Sequence, residues 1–434
     1  MKKKRTLVIA SLGAGLTALL HAQAAPPELT FDQAKALALK NHPQVLAAQA
    51  TYRRSDQLIR EARAAYFPTI TGNITGAQAQ LNSRIGAGVL NDPRLFNHAG
   101  AGLTASQLIS DFGRTSNLVS NAKFNAQAGR ADYEATRYDV ILAAGQAYYE
   151  VLLSQQLVKV AQQTVATRQT VVNQISELAK NKLRSDVDLS FAQVNLADAK
   201  LMLLRAQDRL GAAYASLAEA LGTDTVVRYR LVDQPVPPNP PETPDALITQ
   251  AFQNRPELAS LRLQVEAAQK FVYAERDLKR PTVEFLGVGG ALPYINQGNT
   301  AAIPNTYEAA AINVQIPVFN GFQFTARQEA AEYQLQATLQ RTRDLQDRIA
   351  RDVRTSWERA RTAFEAIGAT QTMLDQANLA LKLAQGRYDL GLASIVELTQ
   401  GQLGQTQAEV ENLNAKYEYQ EAYAALQYTL GLLH

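Results

Sequence analysis

The chain has 434 residues, 43 basic and 40 acidic residues, and no cysteine. The absence of cysteine excludes disulfides, thiolate zinc sites and thiol nucleophiles. At this length two or three domains are usual, although an internal repeat overrides that expectation.

Residues 1–24 have the pattern of a secretory signal peptide. A basic start (MKKKR) precedes an apolar stretch from Leu7 to Leu20, and Ala-Gln-Ala at 22–24 fits a cleavage site. The apolar stretch is shorter than the ~20 residues that a spanning helix needs, so an uncleaved anchor is the weaker interpretation. Four of the 43 basic residues leave with this segment, so 39 remain against 40 acidic residues. This balance argues against a nucleic-acid partner.

The rest of the chain contains an internal repeat. Asn41-His42-Pro43 returns as Asn254-Arg255-Pro256, and Leu221-Gly222 returns as Leu430-Gly431. Self-similarity of this kind indicates a duplicated structural unit. In the first unit we predict a helical start over 25–65, a β-hairpin over 66–112 and a long helical hairpin over 113–222. A proline-rich linker at 223–244, expected to be extended, precedes the same three parts at 245–280, 281–319 and 320–434.

The β-hairpins are predicted from a change of period. Ile70 and Ile74 alternate with polar residues, as do Ile312 and Val314. This period of two predicts strands with one apolar and one polar face. A soluble sheet fits the strand pattern about as well as a membrane barrel, because barrel signals are weak in each segment. The secretory signal and the length of the helices favour the barrel.

The helical hairpins give the clearest pattern. From Leu189 to Ala220, leucine and alanine alternate at three- and four-residue spacing, which is the 3.5-residue period of a coiled-coil seam. Proline is absent between Arg94 and Gln234, so a helix over 113–181 of roughly 100 Å is permitted. The second half has a smaller, more polar seam from Leu398, which suits a helix that borders water.

Four strands in one chain cannot close a barrel. An open sheet in lipid leaves its edge N–H and C=O groups unpaired, at a cost of several kcal/mol each. We therefore expect the chain to associate with copies of itself. Two copies supply eight strands, whose side chains fill the interior, whereas three supply twelve and leave more room for passage.

Four segments of the chain resemble the TolC family of outer-membrane efflux and type I secretion channels. They are Leu29 to Ala34, Ser110 to Arg114, Val318 to Gly321, and Tyr388 to Leu398. The resemblance covers essentially the whole mature chain. It implies a mainly α fold with a membrane β part, in which a homotrimer forms a 12-stranded β-barrel continued by a periplasmic α-helical barrel.

The same resemblance implies a function. The chain is expected to be the passive exit duct of a tripartite efflux pump or type I secretion system, in the outer membrane and in contact with its lipid. A periplasmic adaptor and an inner-membrane transporter of the RND, ABC or MFS type would open its periplasmic tip. The cargo stays open between drug, metal, polysaccharide and protein.

Site residues also follow from the resemblance. An acid at the position of Glu397 helps to ring the entrance, where like charges favour cations, while the second family acid corresponds to Gln400. Tyr388 and Asp188 match positions that hold the closed tips together, but Ala393 replaces an arginine, so we expect a changed set of contacts. Two turns are expected to contact the adaptor: Lys182, Leu183, Arg184 and Ser185, and Gly391, Leu392, Ala393 and Ser394.

Glu397 and the chain as a whole also have other interpretations. Without the resemblance, Glu397 is better explained as a carboxylate at the positive end of a helix. Catalytic signatures such as H-E-x-x-H and G-x-S-x-G are absent, so we expect neither enzyme activity nor a cofactor. A periplasmic adaptor would have one hairpin and an inner-membrane anchor. A filamentous adhesin would need neither the β-hairpins nor the repeat.

Overall fold

The computed structural model describes residues 27–77, 98–241, 243–291 and 306–433. The predicted signal peptide lies outside these residues. The first unit contains β1 (Glu28–Leu29), α1 (Phe31–Asn41), α2 (Pro43–Ala64), β2 (Thr69–Ala77), β3 (His98–Ser110), α3 (Arg114–Lys180) and α4 (Asp186–Ala220). The second contains β4 (Arg230–Leu231), α5 (Asp245–Asn254), α6 (Pro256–Arg276), β5 (Thr282–Ala291), β6 (Thr306–Gln315), α7 (Gln323–Asp389) and α8 (Ile395–Thr429).

The long helices of the two units have equal lengths, which confirms the predicted duplicated architecture. Helices α3 and α7 each have 67 residues, and α4 and α8 each have 35. At 1.5 Å per residue, the longer helices extend roughly 100 Å. Within the described ranges, none of the helices combines the length and the apolar character required to cross a membrane.

The Leu/Ala seam of α4 faces α3. Its buried members, which carry the heptad spacing, are Ala192, Leu196, Ala199, Ala206, Ala213, Leu217 and Ala220. Alternation of large and small side chains lets the two helices approach closely and interdigitate. Helices α7 and α8 pack in the same way, and α6 contacts both α3 and α7, so the two units share one helical body.

The repeated Leu-Gly motifs close each unit on its own start. Gly222 has a φ of +68° and lies against the α1–α2 bend, where a Cβ would stand 2.7 Å from the Cα of His42. Gly431, with a φ of +69°, lies against the α5–α6 bend in the same way, 2.8 Å from the carbonyl carbon of Asn254. Both positions combine a left-handed backbone with contact too close for any side chain. The Asn-x-Pro and Leu-Gly repeats are therefore two halves of one contact.

The proline-rich linker is held by side chains of α7 and α8. Trp357 Nε1 donates to the carbonyl of Pro241 at 2.7 Å, and Gln420 Nε2 donates to that of Gln234 at 3.0 Å. The Tyr419 hydroxyl donates to the carbonyl of Pro238. An extended segment without internal hydrogen bonds leaves its carbonyls free for such donors. Trp357 is buried in the helix packing.

The two hairpins join into one antiparallel sheet in the order β2-β3-β5-β6. Ile70 lies opposite Ala105, which lies opposite Gly287, and this in turn lies opposite Ala310. This register places one set of large apolar side chains on a single face: Ile70, Ile74, Leu103, Phe285, Ile312 and Val314. The other face carries threonine, serine and asparagine on β2 and β3, and Leu286 and Val288 on β5. Among the described residues, the outer edges of β2 and β6 have no strand partner.

Buried polar contacts fix the point where the sheet meets the long helices. The Asp111 carboxylate accepts from the N–H and the hydroxyl of Thr115, at 2.7 and 2.5 Å, and thereby caps α3. Asn117 Nδ2 donates to Asp277 Oδ2 at 2.9 Å, which ties the first unit to the second. Because Asp111 and Asp277 are almost fully buried, this junction holds the sheet and helices in a set orientation.

Candidate functional site at the helical tips

The two helical hairpins turn through the same motif. In the first turn the N–H of Leu183 donates to the carbonyl of Leu178 at 2.9 Å, and in the second the N–H of Leu392 donates to that of Arg387 at 2.8 Å. These are Schellman bonds, which require a left-handed residue just before the donor. Lys182 has a φ of +56° and Gly391 a φ of +72°. Lys182 therefore occupies a position that favours glycine.

The return helices begin with equivalent residues but use their acids differently. Ser185 accepts from the N–H of Asp188, and the Asp188 carboxylate accepts from the N–H of Ser185, which completes a capping box. Ser394 accepts from the N–H of Glu397 in the same way. The Glu397 carboxylate, however, does not return to its own cap and turns to α7 instead.

Glu397 pairs with an arginine on the other side of the second turn. Arg387 Nε lies 3.0 Å from Glu397 Oε1, and the two side chains are 58% and 44% exposed. Both side chains line a groove of about 790 Å³ between α7 and α8, together with Gln400 and Gly404. The remaining lining residues are small or apolar, namely Ala377, Ala380, Leu383, Ala384, Ser394, Val396 and Gly401.

An arginine of the first turn joins the two hairpins. The Arg184 guanidinium lies 4.5 Å from the centre of the Tyr388 ring, and its Nη2 is 3.4 Å from the Tyr388 carbonyl oxygen. Tyr388 is 7% exposed and packs with Ile175 and Leu398 in a small apolar cluster. Burial raises the pKa of Tyr388, the charge of Arg184 opposes this rise, and the charge of Asp188 adds to it.

Tyr388 and Asp188, each predicted to hold the closed tips together, do not hydrogen-bond to each other in the described structure. The Tyr388 hydroxyl is buried without a hydrogen-bond partner in the described structure, and Asp188 is engaged in its capping box. Arg184 supplies the contact to Tyr388. It stands at the turn position equivalent to Ala393, so the arginine is carried by the first turn and not the second. Their roles in gating stay a prediction.

The tips expose apolar side chains beside their charges. Leu183, Leu392 and Val396 are each more than half exposed, as is Val187. The other turn residues predicted to contact an adaptor are exposed or half-buried. Exposed apolar residues grouped in this way, with polar neighbours, are typical of interaction sites.

A family profile described as "outer membrane efflux protein" matches the chain twice, over residues 36–223 and 247–432. The chain belongs to this family. The two matches coincide with the two units of the fold. The predicted family, outer-membrane location and role as an exit duct for efflux or type I secretion are thus confirmed.

Individual relatives agree with this assignment. The outer membrane protein TolC of Vibrio cholerae is 24% identical, with 93% of this chain and 90% of that protein covered. The alkaline protease secretion protein AprF of Pseudomonas aeruginosa is 23% identical over 92% of this chain and 83% of its own length. The open state of the MtrE outer membrane channel of Neisseria gonorrhoeae has the same fold, with a TM-score of 0.77, 19% identity, and 93% and 89% coverage.

Two contacts of the site were not predicted from the sequence. Arg387 and Glu397 are equidistant from Leu392, so the hairpin register contained a signal for their pairing. The contact of Arg184 with Tyr388 had no such signal, because it joins two hairpins far apart in the chain.

Proposed function

We propose that three copies of this chain assemble into a continuous duct, with the sheet as its wall in the outer membrane and the long helices as its tunnel across the periplasm. The observation that carries the proposal is the four-stranded sheet, whose two outer edges are unpaired within the described residues. Its apolar face is open, with Ile70 67%, Ile74 91% and Ile312 68% exposed. In lipid, such edges are stable only when the sheet closes on itself.

The number of copies follows from the strand count. Strand β2 of one copy can pair with β6 of the next in the antiparallel sense that the sheet already has. Two copies would give eight strands and an interior filled by side chains. Three copies give twelve strands, a lumen for cargo and a closed ring, as expected for a symmetric homo-oligomer.

The helical part offers matching surfaces for the same assembly. Helix α4 exposes a stripe of large apolar residues at coiled-coil spacing, namely Val187, Phe191, Val194, Leu201 and Leu204. The groove between α7 and α8 is lined mostly by alanine, glycine and leucine, and its charged residues, Arg387 and Glu397, lie at the end next to the turn. We propose that α4 of one copy packs against the apolar part of this groove on the next copy, which would remove both apolar surfaces from water and leave the charged end at the entrance.

The tips form the entrance in this proposal. Glu397 and Gln400 line the aperture, Arg184 and Tyr388 hold the two hairpins of each copy together, and Asp188 supports the first turn. The exposed turns, with Leu183 and Leu392 at their ends, would contact a periplasmic adaptor. The adaptor would join the duct to an inner-membrane transporter of the RND, ABC or MFS type. The duct itself performs no catalysis, and the transporter supplies the energy.

Two measurements test this function. The purified protein in detergent should have the mass of three chains by light scattering, and should give discrete conductance steps in a planar bilayer. A monodisperse monomer without conductance would contradict the proposal. A boiled sample serves as the control for conductance by contaminating detergent.

A further inference from the structure

An ion pair joins the two helices across the second turn, and the first turn has no equivalent pair across it among the described residues. Glu397 and Asp188 occupy the same third position of their return helices, behind Ser394 and Ser185. Asp188 caps its own helix, whereas Glu397 pairs with Arg387 at 3.0 Å. In the first hairpin the position equivalent to Arg387 is Leu178, so no cation is available there.

Stability does not explain the pair. Both side chains are exposed, and exposed ion pairs contribute little to folding. A carboxylate that returned to the Ser394 N–H would complete the capping box, as Asp188 does in the first hairpin. The structure gives up this second capping bond at Glu397 and has the contact with Arg387 instead.

The pair also determines the charge of the groove. Arg387 and Glu397 are the two charged side chains among its lining residues, and Gln400 and Ser394 are neutral. A guanidinium stays charged at all physiological pH values, so it offsets the carboxylate permanently. Beyond about 10 Å at 0.1 M salt, a pair of opposite charges this close has almost no field.

We propose that Arg387 is a selectivity-determining residue, which cancels Glu397 and makes the entrance of the duct nearly neutral to ions. This rests on the proposed function, in which Glu397 lines the aperture. An unpaired acid repeated in three copies would form a ring that favours cations. With the arginine in place, the entrance should admit cargo of either charge.

Reversal potentials in a tenfold KCl gradient at low salt test the assignment. The wild-type channel should be weakly selective. Arg387→Gln should become several-fold selective for K⁺ and acquire block by hexaamminecobalt(III), because three unpaired carboxylates then face the aperture. Glu397→Gln should shift selectivity toward Cl⁻, and the double variant should return to wild-type behaviour.

Two further variants make the result specific. Arg387→Lys keeps the charge and should keep the wild-type selectivity. Lys180→Gln removes the same charge from an ion pair of the first tip, where Nζ lies 2.7 Å from Glu177 Oε1, and should change nothing. Equal reversal potentials for wild type and Arg387→Gln, or strong cation selectivity of the wild type, would overturn the assignment and leave the duct intact. Absence of any conductance in the wild type would instead overturn the duct.

Discussion

Glu421 is a partly buried acid in the helical body, and two other acids, Glu150 and Glu418, lie near it. It lies on α8 close to Glu150 of α3, whose carboxylate accepts from Arg209 Nε and Nη2 at 2.8 and 3.2 Å. Burial raises the pKa of Glu421 to about 7, the charges of Glu150 and Glu418 add to this rise, and Arg209 opposes it. The arginine is committed to Glu150, so Glu421 is more stable when protonated.

This shift makes stability depend on pH. Between the ordinary pKa of 4.5 and about 7, the folded chain holds a proton on Glu421 that the unfolded chain has lost. The stabilisation is fully present below pH 4.5 and is lost as the pH rises through 7. We expect Glu421→Gln to reduce the drop in melting temperature from pH 5 to pH 8 by about half or more. Thermal melts of both proteins at several pH values measure this.

The matched control is Glu411→Gln, an exposed acid on the same helix. It should leave the pH dependence as in the wild type. Equal slopes for the wild type and Glu421→Gln would show that this carboxyl does not hold the proton.

Single residues were predictable where a local rule applied or where the resemblance supplied a position. The turn at Gly391 belongs to a hairpin whose register the sequence contains, whereas Glu397 was singled out by the resemblance. Arg184 and the linker donors Trp357 and Gln420 act on distant segments, and no local pattern indicates their partners. The helical hairpins turn between Lys180 and Asp186 and between Asp389 and Ile395, but the position of the arginine could be interpreted only with the two hairpins side by side.

At the scale of elements, the closing contact of each unit is its most constrained point. Gly222 combines a left-handed backbone with a Cβ position 2.7 Å from the Cα of His42. We expect Gly222→Ala to lower the free energy of unfolding by about 2–5 kcal/mol, through backbone strain and displacement of the α1–α2 bend. Urea unfolding in detergent, followed by circular dichroism, measures the change.

Gly211→Ala is the control in the same hairpin. Nothing lies within 4 Å of the Cβ that it would add inside α4. Alanine is the better helix former, so this change should stabilise the chain by up to about 1 kcal/mol. Two variants of equal stability would contradict the role given to Gly222.

The helices were more predictable than the strands for a physical reason. A heptad seam of about ten residues is a long signal, and the absence of proline allowed the helix to continue. Each strand has ten residues or so and a weak alternation, which left a soluble sheet open. The order β2-β3-β5-β6 depends on pairing between segments about 180 residues apart, which single-strand patterns do not specify.

At the scale of the whole molecule, the proposed duct would open by separation of the two hairpins of each copy at their tips. The contact of Arg184 with Tyr388 would oppose this movement. A cation–π contact is worth at least about 0.5–1 kcal/mol, so three copies opening together would gain at least roughly ten- to a hundredfold in open probability when it is lost. We expect this gain in single-channel recordings of Arg184→Ala.

Lys182→Ala is the matched control, since it removes the same charge from the same turn without touching Tyr388. It should leave the open probability unchanged. An unchanged open probability in Arg184→Ala would show that the hairpins are held by other contacts.

Helices α3 and α7 have equal lengths, as do α4 and α8, so the two hairpins end at the same level. Seven residues inserted at matched levels into α3, α4, α7 and α8 would keep every seam in phase and extend the reach by about 10 Å. The same insertion in one hairpin alone would leave one turn protruding past its neighbour and pull Arg184 away from Tyr388. The span of the duct is therefore free to evolve only in heptad steps taken by both halves of the gene together.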